Sequence, residues 1–361
     1  MSMQDTLSPE TLSPPTTTAA TAASTPATRT LTYAQAAAAA LSEAMQADAS
    51  VVALGEDLGR GGVFGQYRNS EGRNLVDVFG PDRIIDTPIS ESTIVGAGVG
   101  MALAGMRPVV ELRVADFALC AIDELVNQAA KNRFMFGGQG RVPLVARLPI
   151  GIWTASAAQH SQSFESWFAH VPGMVVLAPA TPADNYGLLH AALDSGDPVI
   201  YMEHKELWGS SGEVVSGQRV PIGKGRMAHS ASSDAVDITL VSWSKQVHTC
   251  VQAAQQLQAQ GVQAEVIDLR SIWPWDSELV LDCASRSKRV LVVHEAVQAA
   301  GFGAEVAATV AEHTAAHVAR LGAPRIPVGY APTLEAESRI GAEKVIAAAQ
   351  QLLARSPNVP V

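Results

Sequence analysis

Glu91 stands in the run DTPISES, next to Ser90 and just before the small apolar stretch TIVGAGVGMAL. A carboxylate at a strand-to-helix junction can cap the free N–H groups of the helix, or hold a ligand's nitrogen in a cleft. By residue type alone the cap is the favoured reading. Gly55-Glu56-Asp57 closes another apolar run, with Gly59, Gly61 and Gly62 behind it. That is either a solvated turn or a site at a strand end, where parallel sheets bind ligands, and spacing does not separate the two. His160, in AAQHSQS, has hydrogen-bonding neighbours in a long loop, where functional residues concentrate. A lone histidine is more often structural. Ser161 and His160 are not expected to form a nucleophile pair, because sequence neighbours rarely reach the required geometry. Phe117, after Asp116, has the look of a core aromatic.

Other chemistries lack their motifs. The sequence has no G-x-S-x-G elbow, no G-x-x-x-x-G-K-[ST] loop and no H-E-x-x-H. Gly96, Gly98, Gly100 and Gly105 are not spaced as G-x-G-x-x-G, and no acid follows at the required distance. They read as small residues for close helix packing.

The elements that must position these groups alternate. Tyr33–Ala47 is Ala-rich and helical. Val51–Leu54, Arg83–Asp86, Arg107–Leu112, Val142–Leu148, Met174–Leu177 and Pro198–Met202 are short apolar runs of strand type. Helices are expected at Thr93–Leu103 and Ala121–Asn132, and after Thr181, where Pro182 and Asp184 complete a helix-start signal. A second series follows: strand Asp237–Val241, helix His248–Gln260, strand Ala264–Leu269, helix Ser277–Ser287, strand Arg289–His294 and a last helix Glu343–Ala354. Apolar strands separated by helices imply an α/β fold with mainly parallel sheets covered on both faces. The expected organisation is a tail over residues 1–30, an α/β domain over 31–205, a Gly- and Ser-rich linker over 206–235 and a second α/β domain over 236–361. The tail is almost all Thr, Ala, Ser and Pro and is expected to be disordered.

Composition narrows the partners. The 361 residues carry a net charge of −10 and a pI near 5.4, which argues against nucleic acid or an anionic membrane. No apolar run approaches the roughly 20 residues that span a bilayer. Cys120, Cys250 and Cys283 are scattered and odd in number, as in a cytoplasmic protein.

Several segments together resemble one family. VVALGEDLG, RIIDTPISES, ELRVADF, IDELVNQAAKNRFMFGG, AAQHSQSFE, HVPGMVVLAPATPADNYGLL, DPVIYMEHKELW, VIDLRSIWPWD and VVHEAVQAAGFGAE occur in this order. They are similar to the E1 β subunits of thiamine diphosphate-dependent 2-oxo acid dehydrogenases, and the likeness runs from Leu31 to the end. It implies a pyrimidine-binding α/β domain followed by a transketolase C-terminal-like domain. It implies an α subunit in an α2β2 heterotetramer and a lipoyl-bearing E2, for whose basic docking domain an acidic chain is suited. Position by position, Glu91 matches the glutamate that activates the cofactor's aminopyrimidine. Phe117 matches the aromatic packed on that ring. Glu56 and Ile89 match residues lining the same cleft, and His160 matches the active-site histidine.

The family places the diphosphate and its Mg2+ on the α subunit, in a GDG-type motif. This chain has no GDG, so the resemblance implies half an active site. Some relatives hold K+ on backbone carbonyls, at positions matching Leu144, Ala192, Ser195 and Asp197. Two departures stand out. The run Tyr330–Glu337 replaces a proline-rich segment, and Trp153 occupies a loop of small residues, implying a narrower substrate channel. Pyruvate is the expected substrate, with a branched-chain 2-oxo acid next. The alternatives are an acetoin dehydrogenase β subunit, a split transketolase-like C-terminal half, or a non-catalytic assembly subunit. Intact Glu91, His160 and Phe117 speak against the last.

Overall fold

The computed structural model describes residues 27–233 and 235–355. Its strands are β1 Thr28–Thr32, β2 Val51–Gly55, β3 Ile84–Asp86, β4 Arg107–Glu111, β5 Val145–Ile150, β6 Val175–Leu177, β7 Val199–His204, β8 Ser211–Val215, β9 Arg226–His229, β10 Ile238–Ser242, β11 Ala264–Asp268, β12 Ser271–Trp273, β13 Arg289–Val297 and β14 His317–Ala323. Its α-helices are α1 Tyr33–Ala47, α2 Leu75–Phe79, α3 Glu91–Leu103, α4 Asn132–Met135, α5 Glu165–Ala169, α6 Pro182–Asp194, α7 Lys245–Ala259, α8 Ser277–Ser287, α9 Gly303–His313, α10 Pro332–Ser338 and α11 Ala342–Leu353.

Local chemistry explains where helices begin. At α1 the Thr32 hydroxyl accepts from Gln35 N at 3.1 Å while the Gln35 side chain accepts from Thr32 N at 3.0 Å, a reciprocal capping box ahead of an alanine run. At α6 the Thr181 hydroxyl accepts from Asp184 N at 3.1 Å, with Pro182 opening the helix as expected.

The first sheet has seven strands in the order β12-β6-β7-β5-β4-β2-β3, all parallel except β12. Strands β5 and β7 are buried along their whole length. One face packs on α1 and α6, the other on α3 and the segment after β4. The second sheet runs β14-β13-β10-β11-β9, with only β9 antiparallel. The apolar core continues from Leu148 and Met202 in the first sheet to Val241 and Ile267 in the second.

Four features depart from expectation. Thr28–Thr30, read as tail, lie in β1 and pair with β8; the rest of the expected tail up to residue 26 falls outside the described residues. The stretch read as a linker contains β8 and β9, and β9 belongs to the second sheet. The helix expected at Ala121–Asn132 is a series of unlike turns: 3-10 over Ala115–Ala121, π over Glu124–Ala129, then α4. The second domain also returns β12 to the first sheet, antiparallel to β6, which covers an edge that would otherwise be open.

Candidate active site

Parallel strands bring their C-terminal ends to one edge of the sheet, and the chemistry-bearing residues lie there. Glu56 follows β2, Glu91 opens α3 after β3, Asp116 and Phe117 follow β4, His160 is in the loop after β5, and Lys205 follows β7. Gly55 lets two of these strands close up: a Cβ on it would lie 2.5 Å from the Glu111 carbonyl oxygen in β4. The loop after β3 is tied down by Thr87 N, which donates to Gly55 O at 2.9 Å.

Glu56 is 7% exposed, and its Oε1 is buried without a hydrogen-bond partner. Its carboxyl pKa is raised, first by burial and then by the charge of Glu91, with the Arg113 guanidinium opposing both. Arg113 is itself paired with Asp57. The turn at Glu56 is therefore no solvated loop; it holds a desolvated acid beside a second one.

Glu91 does not cap α3. Ser90 holds the cap position without a side-chain cap bond, and its hydroxyl donates to Thr93 Oγ1 at 2.9 Å. The half-buried Glu91 carboxylate has no hydrogen bond or ion pair among the described residues. The capping reading fails: Glu91 is an acid in the first turn of a helix, where the dipole favours it, and its own backbone does not use it.

Phe117 is half-buried rather than core, and its ring meets the His160 ring edge-on, centroids 5.2 Å apart. Two residues on, Gln162 Nε2 donates to Asp116 Oδ1 at 2.7 Å. Asp116 Oδ2 and Thr87 Oγ1 are further buried atoms without a partner. Ile89 is 78% exposed at the lip of the cleft, an apolar side chain that its own chain does not cover. Trp153 meets Phe64 edge-on at 5.2 Å, and Phe64 stacks on Trp208 at 5.1 Å.

Sequence reasoning missed Lys205, Asp116 and Thr87. Lys205 carried no sequence signal: it follows the strand VIYMEH, whose six residues prove buried only in the structure, where the ammonium needs a partner.

The carbonyls matched to a K+ site already accept internal hydrogen bonds. Leu144 O accepts from Val199 N at 2.8 Å and Ala192 O from Ser195 N at 3.2 Å. Asp197 O accepts from the Ser195 hydroxyl at 3.2 Å, and Ser195 O from the Arg107 guanidinium at 3.0 Å. A cation on Ser195 O would face that fixed positive charge. Ser195 O, bonded to that guanidinium, does not suit K+.

Residues 29–210 match the transketolase pyrimidine-binding domain and residues 229–345 the transketolase C-terminal domain. The chain is 39% identical to the 2-oxoisovalerate dehydrogenase subunit beta of Bacillus subtilis, over 87% of this chain and 95% of that protein. The chain belongs to the E1 β subunits of the 2-oxo acid dehydrogenases. This β chain is also 39% identical to a mitochondrial pyruvate dehydrogenase E1 subunit beta of rice, Oryza sativa, over 91% and 88% of the two chains. It is 38% identical to the acetoin:2,6-dichlorophenolindophenol oxidoreductase subunit beta of Cupriavidus necator, over 87% and 95%. Among solved structures, a split-gene transketolase described as an inactive beta4 tetramer shares the fold of this β subunit. Its TM-score is 0.72 at 23% identity, covering 89% of this chain and 97% of that one. The β subunit is thus an oxidoreductase component of the thiamine diphosphate-dependent family, with a transketolase-type pyrimidine-binding domain. Among the described residues no helix is long and apolar enough to cross a membrane.

Proposed function

We propose that this β subunit, joined to an α subunit in an α2β2 assembly in the cytoplasm, oxidatively decarboxylates a 2-oxo acid and passes the acyl group to the lipoyl group of an E2 component. The observation that carries the reading is the pair Glu56 and Glu91: one buried acid with an unpartnered oxygen, one helix-start acid that caps nothing, at the edge where parallel strands end. Such a pair fits a ligand that brings both a hydrogen-bond acceptor and donors, as an aminopyrimidine does. Glu91 would hold ring nitrogen N1′, Glu56 would line the same site, Phe117 would pack on the ring and Ile89 would supply apolar contact. When bound, thiamine diphosphate supplies the electron sink that decarboxylation needs. Glu91 would offer a carboxylate able to share a proton with that ring nitrogen. His160, edge-on to Phe117, places a proton at the acyl carbonyl during transfer to lipoamide. The diphosphate and its Mg2+ belong to the α subunit, since this chain lacks the motif for them.

Pyruvate is the favoured substrate. Several of the relatives act on it by name, and Trp153, held by Phe64, suits a small acid. The named relatives also include a branched-chain and an acetoin enzyme at nearly the same identity. Rates with pyruvate, 2-oxoisovalerate and acetoin on the assembled enzyme decide among the three.

A partner subunit has a surface to meet. Phe134, Met135 and Phe136 are 89%, 70% and 58% exposed, beside a groove of about 980 Å3 lined by Gly96, Gly100 and Leu103. Apolar side chains at this exposure mark an interaction face. Phe134→Asp is expected to weaken association with the co-expressed α subunit at least about tenfold, one anchor's worth of binding energy. Sedimentation of the mixture measures it. Unchanged assembly would remove this face from the interface.

A further inference from the structure

We infer that Lys205 is a positioning residue, whose buried ammonium, fastened to the backbone carbonyl of His160, sets the His160 ring against Phe117. The inference rests on the reading of His160 given above. Lys205 is 3% exposed and donates from Nζ to His160 O. It stands directly after β7, and the loop it grips runs from β5 to α5.

Inside the loop Ser156 N donates to Trp153 O at 2.9 Å and Gly151 N to Gln162 O at 3.5 Å, which leaves residues 157–161 without internal ties among the described residues. Ala155 and Ala157 have φ of +52° and +57°, a left-handed backbone that alanine rarely adopts. Four anchors hold it instead. Glu295, in β13, accepts from Ile152 N at 2.5 Å. Glu335, in α10, accepts from Ala155 N at 2.9 Å. Asp116 accepts from Gln162 at 2.7 Å. Lys205 holds the carbonyl of His160 itself. It is the one anchor on the residue that bears the imidazole, and it is the only cation among the four.

The electrostatics suit the role. Burial pulls the Lys205 pKa down to about 8, while the carboxylates of Asp116, Glu295 and Glu206 work to keep it charged. Lys245 and Arg339 engage Glu206 from the other side, and His204 engages Glu295. The ammonium thus lies in the field of these carboxylates without an ion pair to any of them among the described residues, and its donor is on one carbonyl.

The test compares Lys205→Met, Lys205→Arg and His160→Ala in the assembled enzyme. Hydrogen exchange, followed by mass spectrometry, is expected to rise at least about tenfold over residues 155–162 in Lys205→Met, while β5 and β7 stay protected. Lys205→Arg, which keeps a charged donor, is expected to restore protection. Acyl transfer to a lipoyl domain should fall about 10–100-fold in Lys205→Met, the cost of a misplaced group, with KM for the 2-oxo acid and affinity for thiamine diphosphate unchanged. In the His160→Ala background the same substitution should add nothing. Unchanged exchange in the loop overturns the inference, and so do losses that multiply between Lys205→Met and His160→Ala. A Lys205→Met chain that does not fold leaves Lys205→Arg to decide: exchange in the loop should stay within about threefold of wild type, and a larger rise overturns the inference. If His160→Ala itself keeps the wild-type rate, the reading of His160 fails, and the exchange data still judge the anchor.

Discussion

Single residues divide into those whose type announces a role and those whose surroundings create it. His160 in a polar loop and Glu56 at a strand end could be singled out from sequence, although Glu91 looked like a cap by type alone. What removed the cap was geometry: Ser90 bonds to Thr93 instead of the helix backbone, and the Glu91 carboxylate has no partner among the described residues. Phe117 was misjudged for the opposite reason. Aromatics at such junctions are usually core, and this one stays half-buried, in T-shaped contact with the His160 ring. Lys205 and Asp116 escaped notice because their roles come from non-local contacts, which no spacing in the sequence encodes. At this scale the account predicts that His160→Ala in the assembled enzyme lowers acyl transfer to a lipoyl domain by about 10²–10⁴-fold, the usual worth of a placed proton donor. Decarboxylation coupled to a dye acceptor should stay within tenfold. Parallel losses in both assays would assign His160 to the earlier chemistry instead.

Elements were legible where a strand is fully buried or a helix carries a strong start signal. Strands β2 and β6 are continuous apolar runs, β4 and β7 hold apolar stretches of three or more residues, and α6 has its Thr181, Pro182 and Asp184 signature. Strand β14 was missed because it is mostly half-exposed, with His317 and Arg320 breaking any apolar run. Strand β12 was missed because its three residues pair with a strand nearly a hundred positions away in sequence. Gly96, Gly98, Gly100 and Gly105 were read as packing devices, and only Gly98 proves to be one: a Cβ there would lie 2.6 Å from Val110 Cγ1 and 2.9 Å from Leu144 Cδ1, whereas Gly100 and Gly105 meet nothing within 4 Å. Gly98→Ala sets about 1 kcal/mol of gained helix propensity against about 1–3 kcal/mol of overpacking. The second wins, because both neighbours are fully buried side chains of β4 and the β5 approach. Urea unfolding should show a net loss of up to about 2 kcal/mol. Because α3 begins at Glu91, the shift should also weaken thiamine diphosphate binding in the assembled enzyme. A stabilised variant would mean that α3 can move off the sheet without cost.

The whole molecule is two α/β units joined by buried polar contacts as well as by apolar core. His204 Nε2 lies 3.0 Å from Glu295 Oε1, the Trp243 ring nitrogen donates to Glu165 at 3.0 Å, and Arg270 pairs with Asp184 at 2.7 Å. None of this junction was readable from sequence, which marked the two units but not their seam. Burial of Glu295 opposes its ionisation, yet the His204 ring and the Ile152 N–H outweigh it and lower the pKa from the ordinary 4.5 to about 2. A depressed carboxyl pKa contributes stability that is present above about 4.5 and is lost as pH falls toward 2. The contribution is up to about 3 kcal/mol. Urea midpoints for wild type should therefore fall more steeply between pH 4.5 and pH 3 than those for Glu295→Gln. Equal slopes would show that the seam does not depend on this charge.

The central claim is that Glu91 activates a cofactor to which this chain contributes only one side. The direct measurement is the rate of dye-coupled 2-oxo acid decarboxylation by the assembled enzyme carrying Glu91→Gln, beside calorimetric titration with thiamine diphosphate. The account predicts a rate lower by at least about 100-fold, with cofactor affinity changed only a few-fold, because the amide still hydrogen-bonds but no longer shares the proton. A rate within a few-fold of wild type would contradict it.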